Sequence, residues 1–177
     1  MSTVFSDAHR ALVLVIGIVA AAAALSAPVR AAGCLWPPVD APIVDHFRAP
    51  ECPYCAGNRG LEYATMPGTA VRAVATGTVT FAGEVAGTRY LVIQHADGRR
   101  ATYGRLDTIN AANGAVVAAG SMVATTSATL YVGLREGETY VDPEPLLGRL
   151  RRPARLVPMD GTPARPPAAP SLMCGAA

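Results

Sequence analysis

The chain of 177 residues contains no lysine: all 15 of its cationic side chains are arginine. Without a side-chain amine there is no attachment point for biotin or lipoate, no Schiff-base chemistry and no phosphate-loop lysine. Histidine is scarce as well, at three residues, His9, His46 and His95, so any function that needs a cluster of imidazoles has little to draw on. Charged residues make up 16% of the chain and the net charge is +2, too small for the electrostatic footprint of a nucleic-acid partner or a membrane surface. Long apolar runs are also missing. The one continuous stretch, Ala11 to Leu25 with Gly17 inside it, falls short of the roughly 20 residues a spanning helix needs.

That stretch follows Arg10 and leads to Val29-Arg30-Ala31, a small-x-Ala cleavage pattern. Residues 1–31 read as a secretory signal peptide, and export is the first functional expectation. A retained anchor is the alternative, because Asp7 weakens the basic start. Lipid modification at Cys34 is another, but Pro28 and Arg30 separate that cysteine from the apolar run. Membrane contact is expected only through this segment. In an oxidising compartment Cys34, Cys52, Cys55 and Cys174 allow three full pairings. The Cys52-Pro53-Tyr54-Cys55 motif could be a redox dithiol, yet no strand-helix context surrounds it. A local structural disulfide is the preferred reading, and zinc binding would need a second pair of ligands nearby.

The remainder divides into three. Residues 32–57 are Pro-rich and irregular, with Trp36-Pro37-Pro38 and Arg48-Ala49-Pro50 breaking any period. Residues 58–150 are strand and turn: Thr78 to Ala82 alternates, Tyr90 to His95 is a buried-type run, and Arg100 to Leu106 follows across Asp97-Gly98, a hairpin signal. Glycines at 77, 83, 87, 114, 120 and 133 punctuate the text, and no long helical period occurs. One short C-terminal helix is expected, with Asp142 as N-cap, Pro143 in the first turn and Leu146, Leu147 and Leu150 on one side. Residues 151–177 are rich in Arg, Pro and Ala and are expected to be mostly disordered. A basic tail of this kind could touch anionic wall polymers or simply be solvated.

Several segments then follow a known order: Cys55 to Tyr63, Pro67 to Val79, Leu91 to His95, Thr102 to Leu106, and Leu130 to Pro143. Together they resemble the lysostaphin/LytM-type zinc metallopeptidases, and in particular secreted actinobacterial members, over about Pro37 to Leu150. The resemblance implies an antiparallel β-sandwich of the duplicated hybrid-motif type. It also implies a peptidase acting on the peptides of bacterial peptidoglycan. Family members hold one zinc with the His and Asp of an H-x-x-x-D motif and the second His of an H-x-H motif, leaving an open position for an activated water. Two further histidines handle protons and the developing oxyanion.

Carried over position by position, the ligand motif falls on Asn58-Arg59-Gly60-Leu61-Glu62, so Asn58 and Glu62 stand at ligand positions. The proton-handling histidine of the Tyr-x-His strand falls on Arg105. The H-x-H motif falls on Thr129-Leu130-Tyr131, which places Thr129 at a proton-handling position and Tyr131 at a ligand position. None of the four family histidines is present. Glu62 is a competent zinc ligand, whereas Tyr131 would bind only as phenolate and Asn58 only through a neutral carbonyl. No cofactor is therefore expected, zinc being the one an active enzyme would need. Asn58, Arg59, Glu62, Tyr103, Arg105 and Tyr131 are the candidate lining of a groove, with Arg105 beside Glu62 as a charge-assisted pair where the metal would be.

Three functions compete. The first is an exported, catalytically inactive module that binds peptidoglycan peptides or regulates a cell-wall hydrolase. The second is an active zinc metalloendopeptidase with unorthodox ligands. The third is a carrier-like domain, since Val71 to Phe81 with Val116 to Val123 resembles the half-motif of biotinyl and lipoyl domains. Lack of lysine confines that last resemblance to fold.

Overall fold

The computed structural model describes residues 34–52, 54–154, 158–166 and 168–174. The expected signal peptide, with His9 inside it, lies outside the described residues. The strands are β1 (Ile43–Asp45), β2 (Leu61–Ala64), β3 (Ala70–Arg72), β4 (Gly77–Val85), β5 (Thr88–His95), β6 (Arg99–Ile109), β7 (Val116–Val117), β8 (Met122–Glu136), β9 (Thr139–Val141), β10 (Arg149–Arg151) and β11 (Ser171–Met173). The first nine form one antiparallel sheet in the order β1-β2-β8-β6-β5-β4-β7, with β3 and β9 also pairing with β8. The expected all-β antiparallel architecture is what forms, and its layers are parts of one continuous sheet. Register shifts in the β4–β5, β5–β6 and β6–β8 ladders bend that sheet around a single core.

Period-two alternation explains how the core is assembled. Leu91, Ile93 and His95 of β5 point inward, as do Ala101 and Tyr103 of β6, Leu61 and Tyr63 of β2, and Leu130, Val132 and Leu134 of β8. The Asp97-Gly98 turn joins β5 to β6 as the sequence predicts. Gly98 has φ of 87°, and the Asp97 carboxylate accepts the Arg99 N–H at 3.0 Å. The other punctuating glycines split in two. Gly87, Gly114 and Gly120 occupy turns with positive φ, whereas Gly77, Gly83 and Gly133 lie inside strands.

Tyr103, expected in the groove, is instead a core residue. It is fully buried, and its hydroxyl accepts the Val74 N–H at 2.8 Å. Burial pushes its phenol far above the usual range. It shares the inner face with Ala101, so it cannot reach a ligand on the outer one.

The C-terminal helix is corrected as well. Only a single 3-10 turn forms, Glu144–Leu146, with the Asp142 carboxylate accepting the Glu144 N–H at 3.0 Å. Leu147 is already extended. The Leu35 N–H and the Gly148 N–H make bonds of 2.7 Å to Leu146 O and Leu35 O, so pairing with the N-terminal segment outcompetes helix propagation. Leu150 then belongs to β10, which pairs with β11. Within the tail expected to be mostly disordered, Ser171–Met173 thus forms a strand, and a Cys34–Cys174 disulfide ties it to the start of the domain. The second bridge is Cys52–Cys55, the local disulfide the spacing favours.

Two predictions follow from these features. Loop-closure entropy rises with the logarithm of loop length, so Cys34–Cys174, 140 residues apart, is worth about 5 kcal/mol, against about 2 for the three-residue separation of Cys52–Cys55. In denaturant unfolding, Cys34→Ser/Cys174→Ser lowers stability by more than Cys52→Ser/Cys55→Ser; equal losses would contradict the long closure. The second prediction concerns His95. Its Nδ1 sits 3.1 Å from Thr76 O while its buried Nε2 has no partner, and burial holds its pKa below the ordinary 6.5. The unfolded chain thus binds a proton that the folded one refuses. Stability from this group is full above pH 6.5 and falls as pH drops toward the lower folded value. Unfolding midpoints at pH 7.5 and 5.5 should differ more in the wild type than in His95→Gln.

Candidate functional site

Directly opposed residues in an antiparallel ladder share a face. Asp45 opposes Glu62, Glu62 opposes Tyr131, Tyr131 opposes Gly104 and Gly104 opposes Tyr90. These five residues form one row across β1, β2, β8, β6 and β5 on the face away from the core. Two steps along β8 from Tyr131 come Gly133 and then Arg135, with Arg100 opposite Arg135 in β6.

Glycines make the bed on which Tyr131 lies. A Cβ on Gly60 would come within 2.8 Å of the Tyr131 ring, and one on Gly133 within 2.6 Å of its hydroxyl. One on Gly104 would meet the Tyr90 ring at 2.7 Å. Burial, before the nearby Tyr140, pushes the Tyr131 phenol up to about 12. At neutral pH it is an O–H donor.

Arg105 sits at the break in the β6–β8 ladder between Gly104 and Leu106. Its φ is 61°, a conformation that costs a non-glycine residue about 1 kcal/mol or more. The surroundings hold it there. Its two terminal nitrogens donate to the two Glu62 oxygens at 2.7 Å each; Nη1 also reaches Thr129 Oγ1 at 3.4 Å, and its carbonyl accepts the Ser127 hydroxyl at 3.1 Å. The Glu62 hydrogen bonds raise the guanidinium pKa further. On its other side a cavity of about 350 Å³ is lined by Glu84, Arg89, Arg105, Asp107 and Ser127.

Asn58 is buried beneath the loop that precedes β2. Its side-chain amide donates to His46 O at 3.1 Å and its carbonyl accepts the Gly60 N–H at 3.3 Å. Arg59 lies 6.0 Å from the Tyr140 ring. Of the residues singled out from the sequence, Glu62, Arg105, Thr129 and Tyr131 come together and Arg59 lies toward Tyr140. Asn58 is spent on the loop, and Tyr103 is on the opposite face. Sequence reasoning missed Tyr90, Tyr140 and the Arg100–Arg135 pair. The available signal was an isolated glycine within each strand run, Gly104 and Gly133, which marks close approach by something large.

In comparisons with known proteins, residues 56–143 match the model of peptidase family M23. No curated protein matches the chain. Among solved structures it is similar to Csd3 of Helicobacter pylori, at 19% identity over 80% of this chain and 37% of that one, with a TM-score of 0.59. It is similar to a zinc-containing peptidase of Vibrio cholerae, at 26% identity over 60% and 37%, TM-score 0.54. A chain from the SpoIIIAH–SpoIIQ complex shares the fold at 16% identity over 62% and 97%, TM-score 0.56. This chain spans little more than a third of the length of the first two.

Family M23 is zinc-dependent, and the donor set here does not fit that ion. Both Glu62 oxygens are taken by a guanidinium, Tyr131 is held neutral, and the Asn58 amide is turned into its own loop. Among the described residues no group of three or more His, Cys, Asp or Glu is placed to hold a metal. A permanent cation at Arg105 would also repel a dication from Glu62.

The left-handed backbone at Arg105 yields a test. Arg105→Gly keeps the backbone conformation without strain, so it should unfold at higher denaturant than Arg105→Ala, by roughly 1 kcal/mol. The partly exposed ion pair adds about 1 kcal/mol or less, so a double-mutant cycle with Glu62→Gln should show coupling of that size, shrinking at high salt. Arg105→Ala matching or exceeding Arg105→Gly would refute the strained placement.

Proposed function

We propose, from the premise that residues 56–143 form a domain of peptidase family M23, that this chain is an exported module that binds peptidoglycan peptides or a cell-wall hydrolase and does not cleave peptides itself. The observation that carries this reading is the Arg105–Glu62 pair. It sets a fixed guanidinium beside the one strong ligand that the family's zinc would use here, with both carboxylate oxygens engaged. Hydrolysis in this family needs a Lewis acid to polarise the carbonyl and activate a water, and here the carboxylate at the ligand position is paired with a guanidinium instead.

Those groups suit recognition. Tyr131, Tyr90 and Tyr140 present flat apolar faces with polar tips, and Arg105 borders an open cavity from which a ligand can approach. Rigid aromatic and guanidinium groups are the residue types that anchor binding surfaces. Partner binding has support from the fold as well, since a chain of the SpoIIIAH–SpoIIQ complex is built on it. Export rests on the N-terminal segment, and both disulfides suit an oxidising compartment.

Metal analysis paired with wall sedimentation tests the proposal. The purified chain should contain no stoichiometric zinc, co-sediment with peptidoglycan or with a hydrolase bound to it, and release no peptide fragments. Stoichiometric zinc, together with wall lysis lost in Glu62→Ala, would establish the active metalloendopeptidase reading and overturn this one.

A further inference from the structure

The end of the outer face beyond Tyr131 carries a charge arrangement that neither the fold nor the family site requires. Arg100 of β6 and Arg135 of β8 stand directly opposite each other, a pairing that repels unless an anion neutralises it. The anion present is Glu138, in the turn between β8 and β9. Arg135 donates to its Oε2 and Arg100 to its Oε1 at 3.4 Å, so each guanidinium takes a different oxygen of one carboxylate. Tyr140, opposite Arg135, lies beneath that guanidinium at 4.9 Å and fixes its plane.

The two sides of this contact differ in how firmly they are held. The side chains of Arg100 and Arg135 are 35% and 23% exposed, and that of Glu138 is 86% exposed. A carboxylate so open to water gains little from its ion pairs, and it sits on a turn whose Gly137 has φ of 57°. Glu62 in the central pair is 23% exposed and gripped through both oxygens. One acid is built in; the other is displaceable.

We infer that Arg100 and Arg135 beside Tyr140 form a binding site for a peptide carboxylate, and that Glu138 occupies it as a tethered stand-in which the ligand displaces. The spacing of the two donors matches a planar two-oxygen anion, since that is what they already hold. Arg135 lies four residues along β8 from Tyr131, about 13 Å at strand rise, so an extended peptide lying along the strand could reach both. The inference rests on the outer face being a binding surface, as proposed above, and names the group it would read at this end.

Titration of the whole exported chain with N-acetyl-dialanine and with its C-terminal amide, followed by backbone amide NMR shifts, tests the assignment. The free acid should move the resonances of residues 135–140 and the amide should not. Glu138→Gln removes the internal competitor and should tighten the acid by about three- to tenfold, while Arg100→Gln should weaken it. Unchanged thermal unfolding in both variants confirms that they remain folded. An acid that binds no better than the amide, a Glu138→Gln that binds no more tightly, or inorganic phosphate gaining in the same way as the acid would each overturn it. Retention on peptidoglycan that persists in Arg100→Gln while these shifts fail removes this inference alone; a wild type never retained on wall or hydrolase removes the broader proposal, and the dipeptide shifts still report on this site.

Discussion

The domain depends on strand β8 serving four neighbours at once. Its first residues pair with β3, its later ones with β2 and β9, and β6 runs beside it throughout. No straight strand can satisfy all of these ladders, so the register breaks between Thr126 and Tyr131, where three more residues pass on β8 than on β6. β6 answers with a left-handed residue at Arg105. The bend that lets the sheet enclose its core is therefore also what aims a guanidinium across β8 at Glu62. Core and site share one distortion, and neither can change without the other.

A bulge of this kind turns a side chain toward a place that a regular strand would not reach. In a metallopeptidase such a position suits a proton-handling group beside a metal. With arginine there, the positive charge becomes part of the chain. It cannot be removed by chelation or by pH, because a guanidinium stays protonated throughout the physiological range. Both Glu62 oxygens accept from that guanidinium, and the positive charge beside the carboxylate comes from a residue with five donors. A zinc ion can accept an incoming oxygen as a ligand. A guanidinium can only donate hydrogen bonds to one.

Much of this was legible in the residues. The alternation in β5 and β6 and the Asp97-Gly98 turn specify their hairpin, and the order of motifs across residues 55–143 indicates the sheet. The nearness of Glu62 and Arg105 also came through, because both stand where motifs converge. The misreadings have physical causes. Tyr103 is adjacent in sequence to Gly104 and Arg105, but strand parity sends neighbours to opposite faces, and a tyrosine suits either one. Its inner position is decided by the Val74 N–H, which lies 29 residues away and needs an acceptor. The motif position of Asn58 suggests a ligand, while its amide is claimed by carbonyls of the preceding segment. The helix after Asp142 has every local signal. It yields to Leu35, more than a hundred residues earlier, whose backbone takes the bonds that a second helical turn would have used.

The tail shows the same competition, and it bears on function. Composition favours disorder beyond Arg151, yet the Cys34–Cys174 bridge brings residues 171–174 back beside β10. A covalent clasp matters most where noncovalent pairing is weakest, and a two-stranded ladder of three residues is marginal by itself. That bridge ties residue 174 to residue 34, while the outer face carrying Tyr131, Arg105 and the Arg100–Arg135 pair belongs to the larger sheet. Pre-organised donors lose less freedom on meeting a ligand. On the proposed reading this is what the fold retains once catalysis is set aside: a rigid sheet face whose aromatic and guanidinium groups are already positioned before any ligand arrives.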